Sequence, residues 1–243
     1  MWTQLLKGIA FALVLGCLTA PTAAQSPRMI LALGSIGFLD PKSIETATGA
    51  VVKLDMEKSQ LKDFSVVVLA NVPFTALPGP VQQEIAQYVN GGGAVLITGG
   101  SQSFGSGGYQ AVSSIIPFEV RSGSDWRGMP FRPPVLIQPS HSILAGVSFI
   151  SVGNLNDMNP RRDATEIMQA AGGGSAAGRA PGTGGAGGGS YPYPLIAELS
   201  VGAGCVLGIA FDLNEFGGMR DRDLFVRNTM AYLLSASRIT PTK

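Results

Sequence analysis

With 243 residues, 17 basic and 16 acidic side chains and a net charge of +1, the chain has the size of one α/β domain and no electrostatic footprint for nucleic acid. Charged residues make up only 14% against 33 glycines, the balance of a well-buried sheet joined by permissive, weakly charged loops. A single histidine and two cysteines rule out a histidine- or cysteine-rich metal centre, and the scattered acids lack the spacing of a calcium loop, so neither a metal nor a cofactor is expected.

The first segment, MWTQLLKGIAFALVLGCLTAPTAAQS, carries one lysine, an apolar stretch from Gly8 to Leu18 and small residues at Thr22-Ala23-Ala24. This is the pattern of a secretory signal over 1–24, and it predicts an exported protein, periplasmic or secreted, with no transmembrane segment in the mature chain. Val14-Leu15-Gly16-Cys17 resembles a bacterial lipobox and offers the alternative of a lipid anchor at Cys17. Cleavage after Ala24 leaves Cys205 as the one thiol and excludes an internal disulfide. Within VGAGCVLGIAF that thiol reads as a small buried hydrophobe.

RMILALG (28–34) predicts a first strand, Lys42–Thr48 a short helix and VVKLD (51–55) a second strand. FSVVVLA (64–70), the amphipathic PGPVQQEIAQYV (78–89) and the buried run AVLIT (94–98) then form a βαβ unit. That unit empties into the glycine-rich loop Gly99–Gly108, and in such sheets ligands bind at the carboxyl ends of the strands. Pro117–Val120 and Pro133–Gln138 read as extended pieces, separated by RSGSDWRGMPFRP (121–133), a polar excursion over the surface. Ile143–Val152 is apolar and β-rich, with Glu166–Ala170 as its pairing partner. Gly172–Ser190, ten of its nineteen residues glycine, cannot bury enough surface to repay its ordering entropy and predicts a flexible insertion. Tyr191–Ser200 and Gly202–Phe211 predict an antiparallel pair ending the sheet, and Asp221–Ser235 a closing helix. The expected fold is α/β: a flavodoxin-like, mostly parallel sheet of about six strands with flanking helices and an antiparallel C-terminal strand pair, over 28–235.

The segments YVNGGGAVLITGGSQSFGSGGY, PFEV, HSILAGV (141–147), GCVLGIAFDLNEF and DLFVRNTMAYLL resemble the class I glutamine amidotransferase-like superfamily. The likeness is greatest to the uncharacterised bacterial domains of that kind, and the GG-x-x-SFG-x-GGY loop is its most specific part. Active members of the wider superfamily carry a cysteine on a strand-to-helix elbow, with a histidine and a glutamate after a late strand. Laid on that pattern, Gly99 or Gly100 stands at the cysteine, Asp212 at the histidine and Asn214 at the glutamate; a one-residue slip places Glu215 at the carboxylate. The resemblance therefore implies the fold without the glutamine-hydrolysing triad.

Several residues remain as candidate sites. Gly99, Gly100, Ser101 and Ser103 offer glycine-freed N–H groups and hydroxyls suited to an anion, against the plainer reading of a turn packing Phe104 and Tyr109. Asn71, Asp212, Asn214 and Glu215 gather near strand ends, to bind a polar ligand or to cap the turns. Trp126, Arg127, Phe131 and Arg132 form an aromatic and basic cluster suited to a partner surface. His141, the one histidine, is needed by any hydrolase built on Ser101 or Ser103, or else caps its own turn. The expected function is a catalytically degenerate envelope module that binds another envelope protein or a small polar ligand. The alternative is a serine-dependent amide or ester hydrolase.

Overall fold

The computed structural model describes residues 26–148, 152–170, 193–215 and 221–239. The proposed signal segment and the glycine-rich insertion 172–190 lie outside the described residues, as do the side chains of 129–132. Chain order begins β1 (Met29–Gly34), α1 (Pro41–Thr48), β2 (Val51–Lys53), β3 (Val66–Ala70), α2 (Gly79–Asn90) and β4 (Ala94–Thr98). Short strands follow as β5 (Phe118–Glu119), β6 (Trp126–Arg132), β7 (Pro134–Leu136), β8 (Val152–Asn156) and β9 (Asn159–Pro160). The chain closes with β10 (Thr165–Ala170), β11 (Tyr193–Val201), β12 (Gly204–Ile209) and α3 (Arg222–Ala236).

Each helix is dictated locally. Asp40 caps α1 by accepting from the Lys42 N–H at 3.2 Å, and Pro41 sits in the first turn, where its missing N–H costs nothing. Along α2 the buried Val81, Ile85, Tyr88 and Val89 recur at helical spacing. In α3 the pairs Phe225-Val226, Thr229-Met230 and Leu233-Leu234 repeat every four residues and form one buried stripe.

Eight strands make the main sheet, in the order β2-β1-β3-β4-β12-β11-β10-β7. The first five are parallel and the remaining pairings antiparallel. The mostly parallel, flavodoxin-like α/β expectation holds, and the winding reverses between β1 and β3, the switch point of that topology. Alternation along the strands separates two cores. Ile30, Val66, Val68, Leu96 and Leu207 face α1 and α3, while Leu31, Val67, Val95 and Val206 face α2.

The structure differs from expectation in four places. The sheet has eight strands because β7 and β10 join it. The antiparallel pair β11 and β12 does not end the sheet: β12 is buried at every position and docks beside β4, the place for a strand covered on both faces. Ile143 and Leu144 form a single 3-10 turn tucked against α3, where Asn228 donates to the Ala145 carbonyl at 2.8 Å; β10 pairs with β11 and β7 instead of this segment. Lastly, the excursion 121–133 contains β6, which pairs antiparallel with β8.

Cys205 is 5% exposed in the α3-side core. Burial pushes its thiol up to about 12, and the nearby Glu198 carboxylate adds to the rise. A folded pKa above the unfolded value means stability that is intact below pH ~9 and lost as pH climbs toward ~12. Two results are expected. Iodoacetamide at pH 8 labels Cys205 only when the chain unfolds, read by mass spectrometry of its peptide. The fall in urea stability between pH 9 and 12 is also shallower in Cys205→Ala than in the parent.

Candidate functional site

Parallel strands place the carboxyl ends of β1, β3, β4 and β12 along one edge of the sheet. Asn71, just past β3, holds a left-handed backbone with φ 39°, a conformation asparagine tolerates better than other side-chain-bearing residues. Its side-chain amide donates to Asp212 Oδ2 at 2.8 Å and accepts from the Gln102 N–H at 2.9 Å. Asp212, 5% exposed, also accepts the Asn214 backbone N–H at 2.8 Å and its side-chain Nδ2 at 2.9 Å. Asn214 donates onward to the Ser35 carbonyl beyond β1. The four strand ends are thus stitched through Asp212, which shares the burden of its desolvation over three N–H donors. At the rim, Asn154 donates to Glu215 Oε2 at 3.0 Å.

A second network holds the glycine-rich loop. Asn156, fully buried on β8, accepts the Gly100 N–H at 2.9 Å and donates to the Gly100 carbonyl at 3.1 Å and to Asp125 Oδ1 at 3.0 Å. Asp125 also accepts the N–H of Gly105 at 2.9 Å, the N–H of Ser106 at 3.3 Å and the Ser106 hydroxyl at 3.2 Å. Phe104 and Tyr109 anchor the loop in the α2-side core, stacked edge-on against Phe118 and Phe74 respectively. The loop N–H groups of Gly100, Gln102, Gly105 and Ser106 are therefore taken by side-chain oxygens, and those of Ser103, Gly107 and Tyr109 by loop carbonyls. Those groups are committed within the fold and do not converge on an anion.

The elbow position is filled as well. A Cβ at Gly99 would lie 2.4 Å from Asn156 Oδ1 and 2.6 Å from the Ala210 backbone carbon. At Gly100, with φ +139°, it would lie 2.1 Å from Asn71 Cγ. Asparagine amides occupy the space that any side chain at Gly99 or Gly100 would need.

The sequence candidates separate accordingly. Asn71, Gly99, Gly100, Asp212 and Asn214 come together at the sheet edge, with exposed Ser101 and Glu215 beside them. Ser103 is fully buried on the α2 side, next to the Tyr109 phenol, whose proton burial holds far above its ordinary range. His141 lies across the sheet under α3. Its Nδ1 accepts the Ile143 N–H at 3.4 Å, its Nε2 faces Glu198 Oε2 at 3.6 Å, and its ring meets Tyr232 at 4.8 Å. Neither Ser101 nor Ser103 hydrogen-bonds to it. Trp126 is half-buried, exposed Arg127 pairs with Asp157 at 3.2 Å, and the side chains of Phe131 and Arg132 lie outside the described residues. Asp125 and Asn156 were not singled out from the sequence. One signal was present: Asn154 and Asn156 alternate with Leu155 along a strand, where asparagine is disfavoured unless its amide is used. Among the described residues no group of three or more His, Cys, Asp or Glu side chains could hold a metal, and no helix is long and apolar enough to cross a membrane.

No protein-family model and no curated protein matches the chain. Solved structures do. Two cytoplasmic proteins from Salmonella typhimurium, each 14% identical, superimpose with TM-score 0.61 over 84% of this chain and 98% and 99% of theirs. A ThuA-like protein from Bacteroides uniformis ATCC 8492, 11% identical, does so with TM-score 0.56 over 90% of this chain and 97% of its own. At such identities the likeness is one of fold: an α/β fold that the chain shares with a ThuA-like protein among its structural neighbours. The names of the Salmonella proteins run against the exported, periplasmic, secreted or lipid-anchored setting expected from residues 1–24, and that expectation is set aside.

Proposed function

We propose that this chain is a catalytically inert domain of the glutamine amidotransferase-like fold, acting as a binding module for a small, uncharged, hydrogen-bonding ligand at the carboxyl edge of its sheet. The observation that carries this reading is the filled elbow: Asn71 and Asn156 stand where a nucleophile side chain would need room, so the edge retains polar groups without a reactive one. Ser35, Asn71, Ser101, Gln102, Asn154 and Asn214 supply amides and hydroxyls, while Asp212 and Glu215 supply the only charges among these groups. Among these described groups there are two carboxylates and no cation, a balance that disfavours phosphate or carboxylate ligands by like-charge repulsion.

The test is a ligand-observed NMR screen of neutral, anionic and cationic small polar compounds, with hits mapped by amide shift changes. Neutral hits that shift Ser35, Ser101 and Asn214 are expected, together with no glutaminase or esterase turnover. Hydrolysis abolished by Ser101→Ala in a folded protein would overturn the reading, as would hits confined to anions.

A further inference from the structure

At the opposite end of the sheet, a cleft of about 580 Å3 opens beside the amino ends of β3 and β4. Its volume falls within the range of roughly 300–1,000 Å3 that holds small molecules. Tyr88, Leu61 and Ile239 supply an apolar lining. Tyr88 is 6% exposed, and its hydroxyl donates to the carbonyls of Phe64 at 3.2 Å and Ala94 at 3.4 Å, so the ring stands as a fixed wall. Lys62 and Arg238 border the same cleft, as does Glu84 from α2. The Arg238 backbone is tied to the Gly92 carbonyl at 2.8 Å, which anchors the root of that side chain. Among the described residues neither cation takes part in an ion pair or a side-chain hydrogen bond, and neither does Glu84.

We infer that this cleft binds an amphipathic monoanion, a flat apolar body bearing one carboxylate or sulfonate. The apolar body lies against Tyr88 between Leu61 and Ile239, where its burial supplies the affinity. The single anionic group reaches Lys62 and Arg238, whose charges have no competing partner within the described fold. Glu84 sets the limit on charge, since a second anionic group would face it. This cleft is separated from the carboxyl edge by the length of the strands, so the two sites stand or fall independently.

The experiment is isothermal titration of the full chain with 2-naphthoate and, as the uncharged match, 2-naphthalenemethanol, at low and moderate salt. Expected is saturable 1:1 naphthoate binding with Kd below about 1 mM, weakened by salt, and alcohol binding weaker by about tenfold. Lys62→Gln with Arg238→Gln removes the preference for the anion while leaving the alcohol unaffected, and Glu84→Gln tightens naphthoate about threefold. Equal binding of acid and alcohol overturns the proposal, as does naphthoate binding unchanged in the double variant or undetectable at 10-millimolar order, on the order of −3 kcal/mol. Binding seen only in a chain shortened to Ile239 assigns the cleft to the chain's own last residues and overturns it too.

Discussion

Gly100→Ala is expected to lower folding stability by about 3–5 kcal/mol, a large share of what a domain of this kind possesses. Two costs combine. The new Cβ would sit 2.1 Å from Asn71 Cγ and 2.2 Å from its Oδ1, and the backbone holds φ at +139°, a region alanine rarely enters. Relief requires Asn71 to swing away, which breaks its bonds to Asp212 and to the Gln102 N–H. Gly99→Cys, the change that would restore a thiol at the other candidate elbow position, meets the Ala210 backbone carbon at 2.6 Å and the Phe211 nitrogen at 2.7 Å; backbone cannot step aside as a side chain can. It is expected to destabilise on the same scale and to yield no glutaminase activity. Urea unfolding of both variants measures this, with Gly79→Ala, which has open space around its Cβ, as a near-neutral control. A Gly100→Ala protein within 1 kcal/mol of the parent, an order-of-magnitude threshold, would mean that the elbow is not filled as described.

Asn156→Ala is expected to cost about 3 kcal/mol. The side chain is wholly buried, and its removal leaves the Gly100 N–H without its partner and the Gly100 carbonyl with the Ser103 N–H alone, while Asp125 loses one of its four donors. The penalty is mostly that of orphaned buried groups, which exceeds the net worth of three intact hydrogen bonds. Because Asn156 and Asp125 act in one network, the double variant Asn156→Ala, Asp125→Ala is expected to cost less than the sum of the two singles. Amide exchange supplies a second readout: Gly100 loses protection in Asn156→Ala, and Gly105 and Ser106 lose it in Asp125→Ala. If Gly100 keeps its protection in the single variant, the asparagine does not hold the loop.

The hydrolase alternative illustrates how far residue types alone can lead. One histidine and several loop serines made a serine route conceivable, yet the turn after β4 buries Ser103 beside Tyr109, and the turn at Ser142–Leu144 holds His141 against Glu198 and Tyr232. The excursion 121–133 is a second case. Its polarity suggested a surface loop, but Asp125 within it is 5% exposed and takes four hydrogen bonds, three of them from the glycine-rich loop. A polar residue can be buried when its partners come with it, and nothing local announces those partners.

Read on its own, the amino-acid sequence determined the order of strands and helices from β1 to β4, the closing helix α3 and the parallel character of the sheet. Those features follow from periodicities of two and 3.6 residues and from glycine and proline punctuation, all of which act over a few neighbouring positions. It also determined the absence of a thiol or histidine at the elbow and late strand, since that is a matter of which residues are there. Only the tertiary structure decided that β12 lies at the centre of the sheet, that Asn156 reaches Gly100 across 56 positions of chain, and that Asp125 reaches Gly105 across 20. Such pairings depend on which strands find one another after the chain collapses, and a buried amide or carboxylate is selected by the partners that meet it there.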